Sequence, residues 1–293
     1  MPHILITLLV YCCLSGPAVA DPASDLRDQY HALEDSLANN PFDAPIVLRS
    51  TVDKRQAQGE VFAVLDFPLS QLRTLFTQPV HWCEVAFLHV NIKACIHHED
   101  QLRFYAGRKY YETPSQAFPL QYRFAIRANQ DNYFNVQLNA PDGPFGTSDY
   151  FIQLEAFPID DKRSFIRFQY HYRFGWIAKL AMETYLATMG SHRVGFTVTG
   201  TDDDGQPIYV KGIQGVIERN VMHYLLAIQS LLETAEAPAK GHYLAQQTQW
   251  YGHIAQYPDQ LVELSREEYL DNKQRERANQ EVLQQNWQGE AGE

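Results

Sequence analysis

Ile166-Arg167-Phe168-Gln169-Tyr170-His171-Tyr172-Arg173-Phe174 is the stretch that decides the fold class. Large apolar and aromatic residues alternate there with polar ones, the period of a strand with one buried and one wet face. The same alternation recurs upstream. Tyr150, Ile152 and Leu154 alternate with Phe151, Gln153 and Glu155, and Phe134, Val136 and Leu138 with Asn135, Gln137 and Asn139. Leu120, Tyr122, Phe124 and Ile126 alternate with Gln121, Arg123, Ala125 and Arg127. The links are short and rich in turn formers, residues 129–132 in one case and Pro141-Asp142-Gly143-Pro144-Phe145-Gly146 in the next. Successive strands on short links predict an antiparallel meander.

Working outward from this run, Leu102 and Phe104 begin it, and residues 91–98 read as a strand carrying Cys95. From Gly59, Val61, Ala63, Leu65 and Phe67 alternate as an opening strand. Pro68 then starts a helix to about Gln78, with Leu69, Leu72, Leu75 and Phe76 on one side. Residues 80–90 read as a second short helix. Nearer the amino terminus, Leu26, Tyr30, Leu33 and Leu37 give a helix over 24–38, stopped by Asn39-Asn40-Pro41, and 46–52 is a first strand or extended lead-in. After the meander, 175–189 predicts a helix (Trp176, Ile177, Leu180, Tyr185, Leu186) stopped by Gly190. This helix is expected to pack on the sheet; a lid or a transient membrane contact is the other reading. Val194, Phe196 and Val198 alternate as a strand, 201–205 is a turn and 208–210 a short strand or lead-in. The strongest helix runs over 212–234, where Ile213, Val216, Ile217, Val221, Tyr224, Leu225, Ile228, Leu231 and Leu232 form a broad apolar stripe.

Beyond Pro238 the character changes. Residues 242–257 suggest another helix, and 259–287 a polar one. Nine acidic against four basic residues across 259–293 lead us to expect a solvated tail that frays at its end, or else a helix that docks a partner.

The first twenty residues hold no Lys, Arg, Asp or Glu. An apolar run over 4–14, Gly16-Pro17 and Ala18-Val19-Ala20 before Asp21 read as a cleavable secretory signal peptide. The run is too short to span a bilayer, which takes about 20 residues, and Tyr11 before Cys12 argues against lipidation. Residues 1–20 are thus the expected leader, 21–58 an N-terminal helix and lead-in, 59–235 the main domain and 236–293 a helical acidic extension, in a periplasmic or secreted protein. The net charge of −11 argues against a nucleic-acid partner. Cys83 and Cys95 remain after cleavage, and an exported protein with two cysteines usually pairs them. Two free thiols, or a metal site with nearby histidines, are the alternatives.

The order of strand, helix pair, long antiparallel meander and one long closing helix resembles the START-like, or helix-grip, superfamily, which includes polyketide cyclase-like and plant allergen-like proteins. The resemblance covers about 59–234. It rests on the Gly59-Glu60-Val61 strand, the Pro68 helix, the aromatic-rich strands and the helix at 212–232. The stretch from Trp82-Cys83-Glu84 through Lys93-Ala94-Cys95, and Ile217-Glu218-Arg219-Asn220, look like signatures of an exported bacterial branch. The implied fold is α+β, a curved antiparallel sheet wrapped around a long C-terminal helix, with extra helices at both ends. The implied function is a cavity between sheet and helix that holds a hydrophobic small molecule or lipid. Tyr122, Phe124, Phe134, Phe168, Tyr170, Tyr172 and Tyr224 are the candidate lining, and Arg173, Arg219 and Asn220 the candidate polar anchors. A filled aromatic core is the alternative.

Catalytic signals are weak. There is no G-x-S-x-G, and Gly190-Ser191-His192-Arg193-Val194-Gly195 has the wrong spacing. His97-His98-Glu99-Asp100 reads as a solvated turn rather than a metal site, and 141–147 lacks the Lys-Ser/Thr of a phosphate loop. Neither a catalytic residue nor a metal or cofactor is assigned. An enzyme on the same fold, cyclase- or hydrolase-like and using a pair such as His171 with a carboxylate, is the second reading. A protein-interaction domain is the third.

Overall fold

The computed structural model describes residues 23–176, 178–180, 183–184 and 193–290. The expected signal peptide, and most of the helix expected at 175–189 with its Gly190 stop, lie outside the described residues. The strands are β1 (Ile46–Val52), β2 (Gln56–Leu65), β3 (Ile92–His98), β4 (Gln101–Ala106), β5 (Phe118–Gln130), β6 (Tyr133–Asp142), β7 (Thr147–Pro158), β8 (Ser164–Phe174), β9 (Val198–Thr201) and β10 (Pro207–Tyr209). The helices are α1 (Ser24–Ala38), α2 (Leu69–Phe76), α3 (Pro79–Leu88), α4 (Gly212–Thr234), α5 (His242–Ile254), α6 (Pro258–Leu261) and α7 (Arg266–Glu290).

The first eight strands form one antiparallel sheet of order β1-β2-β8-β7-β6-β5-β4-β3. After β2 the chain crosses by α2 and α3 to the far edge, then returns strand by strand to lay β8 against β2. Register shifts in β5 between Ile126 and Ala128, and in β7 between Ser148 and Phe151, add local bend and twist. The alternation read from sequence is the inner face: Ile166, Phe168, Tyr170, Tyr172 and Phe174 are all buried.

α4 lies across the inner face and packs on β1, β2 and β8. Gly59 permits this, because a Cβ there would sit 2.8 Å from Val221 Cγ1 and 3.2 Å from Ile217 Cγ1. The opposite side of α4 is buried under α5, where Trp250 Nε1 donates to the His223 carbonyl at 3.2 Å. A helix covered on two sides needs the wide apolar stripe that the sequence carries. Cys83 and Cys95 form a disulfide that ties α3 to β3.

Three sequence expectations change. The outer face is not uniformly wet, because Leu26, Leu33 and Leu37 of α1 cover Phe62, Phe165 and Phe157 in a second small core. Val194, Phe196 and Val198 do not extend the main sheet. Only β9 forms there, in a separate hairpin with β10, because the buried Glu218 carboxylate takes the backbone N–H groups of Phe196 (2.6 Å) and Thr197 (2.9 Å). Those donors are then unavailable to a ladder.

The third change is the polar C-terminal helix, which is no solvated tail. α7 lies along edge strand β3 and presents Lys273, Glu276, Gln280 and Gln284 to it at helical spacing, while Tyr269 a turn earlier donates to the Leu88 carbonyl at the end of α3. Gln280 Oε1 accepts from the Cys95 N–H at 2.8 Å. Gln284 accepts from the His97 N–H at 2.9 Å and returns a bond to its carbonyl at 2.8 Å, as a neighbouring strand would. Beneath them Lys93 Nζ contacts Glu276 Oε1 at 2.8 Å and Lys273 Nζ stands 3.0 Å from Oε2, all three side chains being buried. Each lysine also donates to carbonyls, Lys93 to Val90 and Lys273 to His89 and Ile92. Burial, and then Lys93 nearby, hold Lys273 down to about 8 against the Glu276 charge that favours its ammonium form.

Candidate functional site

Five tyrosines converge on the inner face: Tyr122 from β5, Tyr150 from β7, Tyr170 and Tyr172 from β8, and Tyr224 from α4. Ring centroids are 5.3 Å apart for Tyr150 and Tyr172, 5.9 Å for Tyr170 and Tyr172, 5.9 Å for Tyr170 and Tyr224, and 6.3 Å for Tyr150 and Tyr170. Phe104 packs on Tyr122, and Phe168 on Tyr224. The strands alternate small against large here. Ala57 is opposite Tyr172, Gly59 opposite Tyr170, and Ala140 opposite Tyr150.

The tyrosines keep 4–8 % of their surface accessible, whereas Phe168 and Phe134 keep none. Thr147 Oγ1 donates to the Pro144 carbonyl, so the 2.8 Å bond between Thr147 and Tyr150 has the tyrosine as donor. The hydroxyls of Tyr122, Tyr170, Tyr172 and Tyr224 meet no protein hydrogen-bond partner among the described residues. Burial raises the pKa of each phenol, and neighbouring tyrosines raise those of Tyr122, Tyr170, Tyr172 and Tyr224 further, while the Thr147 bond partly offsets the rise at Tyr150. Every one is neutral at physiological pH, and all but Tyr150, whose proton is committed to Thr147, are able to donate.

Behind Tyr224 lies a neutral histidine pair. The rings of His89 and His223 are 4.8 Å apart, and His89 is 6.1 Å from Tyr224. His89 Nδ1 accepts the Asn91 N–H at 3.1 Å, and the Asn220 side chain interacts with the same ring. His223 Nε2 donates to the Leu261 carbonyl at 3.2 Å, which leaves Nδ1 a bare, buried acceptor. Burial drives both pKa values down, that of His223 to about 4.

The candidate residues are distributed as follows. Tyr122, Phe168, Tyr170, Tyr172 and Tyr224 come together. Phe124 flanks them on β5, and Phe134 sits toward α2, level with Ile166. Arg173 points to the opposite face, half exposed and 3.7 Å from Asp149. Arg219 is buried and donates to the Val194 carbonyl at 3.2 Å. Asn220 alone of the three polar candidates stands near the cluster, beside His89. His171 lies on the outer face, stacked on Phe151 at 4.7 Å. Sequence reading missed Tyr150 and His89. Tyr150 heads an alternating strand in phase with Tyr170 and Tyr172, and that phase was the available signal.

Two surface concavities lie elsewhere. One, of about 490 Å³, sits at Asp66 and the β7–β8 turn, where Arg163 already pairs with Asp160. The other, of about 260 Å³, runs between the end of α1, β1 and Phe196. Both are open depressions without the convergent unpaired groups of the tyrosine cluster. Among the described residues no group of three or more His, Cys, Asp or Glu is placed to hold a metal ion, and no helix is long and apolar enough to cross a membrane.

No family model and no curated protein matches the sequence. Solved structures similar to the chain include norcoclaurine synthase from Thalictrum flavum in complex with dopamine and hydroxybenzaldehyde, at 12% identity and TM-score 0.33 over 50% of this chain and 84% of that one. A START superfamily protein from Mycobacterium smegmatis is 12% identical, with TM-score 0.30 over 47% of this chain and 92% of that one. A conserved protein of unknown function from Enterococcus faecalis is 7% identical, with TM-score 0.33 over 80% and 97%. At these scores the likenesses carry no functional argument, and the fold is assigned from the chain's own topology. The curved antiparallel sheet from β2 to β8, the helix pair after β2 and the closing helix α4 make a helix-grip fold, with β1 added at one edge.

Proposed function

We propose that the chain is an exported protein that binds a hydrophobic, lipid-derived small molecule between the sheet and α4. The observation that carries this reading is the set of neutral tyrosine hydroxyls, four of them without a partner among the described residues, on an otherwise apolar wall. A filled core satisfies its buried polar atoms internally, whereas a site for an amphipathic ligand presents a few convergent polar groups on apolar walls. Phe104, Phe168 and the tyrosine rings supply the apolar contact, and the hydroxyls orient the ligand. The disulfide and the apolar leader support residence in an oxidising compartment.

The test is mass spectrometry of an organic extract of the protein purified natively from its export compartment. One compound near one equivalent per chain, lost on denaturation and refolding, is the expected result. An empty extract from lipid-rich and lipid-poor sources alike would overturn the reading in favour of a filled core.

A further inference from the structure

We propose that the tyrosine-lined interior selects an uncharged ligand bearing hydroxyl or carbonyl oxygens and rejects carboxylates and phosphates of the same shape. This inference rests on the reading of that interior as a ligand site. Its basis is what surrounds the hydroxyls. The groups that act electrostatically on Tyr170 are Tyr122, Tyr150, Tyr224 and Tyr172, and those on Tyr122 are Tyr224 and Tyr150. The nearby charges are committed elsewhere. Arg173 faces Asp149 on the opposite side of the sheet, Arg219 is bonded to the Val194 carbonyl, and Lys93 and Lys273 share Glu276. His89 and His223 are held neutral by burial.

The hydrogen-bonding inventory is therefore complete but chargeless. Tyr122, Tyr170, Tyr172 and Tyr224 can each donate or accept, while Tyr150, already donating to Thr147, can only accept. A hydroxyl or carbonyl oxygen is fully satisfied by such partners. A carboxylate entering the same space gives up its water and meets no cation, so most of its desolvation cost stays uncompensated. The phenols report the same environment, since each is pushed away from its own anionic form. Tyr170, with Tyr172, Tyr224 and Tyr150 around it, sits at the centre and is assigned as the main specificity-determining residue.

The test compares probes that differ only at the head: retinol, methyl retinoate and retinoate, then oleyl alcohol, methyl oleate and oleate, each titrated at pH 7.5 into the full-length chain. The two uncharged members of each set should bind about tenfold or more tightly than the anion. The double variant Tyr170→Phe/Tyr224→Phe should weaken retinol by about three- to tenfold at unchanged melting temperature. Equal or tighter binding of the anions, still sensitive to that variant, overturns the charge selection and leaves the binding site standing. Binding that the variant does not alter places the ligand elsewhere. No binding by either set overturns the ligand-site reading and this inference with it.

Discussion

Two buried polar regions of this molecule look alike by composition and differ in how their atoms are partnered. Under α7, two lysines, one glutamate and two glutamines lie against an edge strand, and each charged or amide group has a countercharge or a backbone partner within about 3 Å. Under α4, five tyrosines share an apolar wall, and four of their hydroxyls have no protein partner among the described residues. A satisfied buried network specifies and rigidifies a structure. Hydroxyls not committed to a protein partner are free to bond a ligand. The first region reads as architecture and the second as the proposed site, and the difference lies in the pairing rather than in the residue types.

The comparison is broken most severely by removing the shared anion. Glu276→Ala leaves two buried ammonium groups without a countercharge and is expected to cost about 3–5 kcal/mol in urea denaturation. A loss below about 1 kcal/mol would mean that water already reaches the seam. Acid probes the border between the regions. His223 binds its proton only near pH 4 in the fold but near 6.5 when unfolded. Its contribution to stability is therefore complete above about pH 6.5 and is lost as pH falls toward 4, by about 3 kcal/mol in all. The stability–pH curve of His223→Gln should be flatter over that window; parallel curves would assign the acid transition to other groups.

Opening the disulfide by Cys83→Ala/Cys95→Ala should cost about 2–3 kcal/mol. It should also speed amide exchange at Cys95→Ala and His97, the N–H groups capped by Gln280 and Gln284. Unchanged protection there would show that α7 holds the edge without the covalent tie. The smallest expected stability effect belongs to the site. Tyr170→Phe removes a hydroxyl that makes no hydrogen bond among the described residues and should shift stability by less than about 1 kcal/mol while weakening ligand binding. A loss of several kcal/mol would mean that the hydroxyl is structurally partnered, and the contrast between the regions would disappear.

The parts of this arrangement legible in the sequence are those encoded locally. Period-2 alternation marked β5 to β8 because each has one face on the core, and the stripe from Ile213 to Leu232 marked α4. Aromatic residues in phase on β5 and β8 pointed to the interior wall. What escaped was long-range and polar. Lys273, Glu276, Gln280 and Gln284 recur as regularly as an apolar stripe, yet their partners are backbone atoms of a strand some 180 residues earlier, and no local pattern announces a helix that seals a sheet edge. Small residues were equally silent. Ala57, Gly59 and Ala140 acquire meaning only once register sets them opposite Tyr172, Tyr170 and Tyr150.

The seal on β3 also has a consequence in time. Gln280 and Gln284 follow the groups they cap by 185 and 187 residues. At synthesis rates of about 5–20 residues per second, the strand exists for roughly 10–40 s before its cap has been made. During that interval the nascent sheet presents an open row of hydrogen-bonding groups, the kind of surface that recruits other chains. A chain stalled before α7 would emerge with its interior wall built and its edge adhesive, which places the last step of folding, and the greatest demand on chaperones, at the C-terminal helix rather than at the meander.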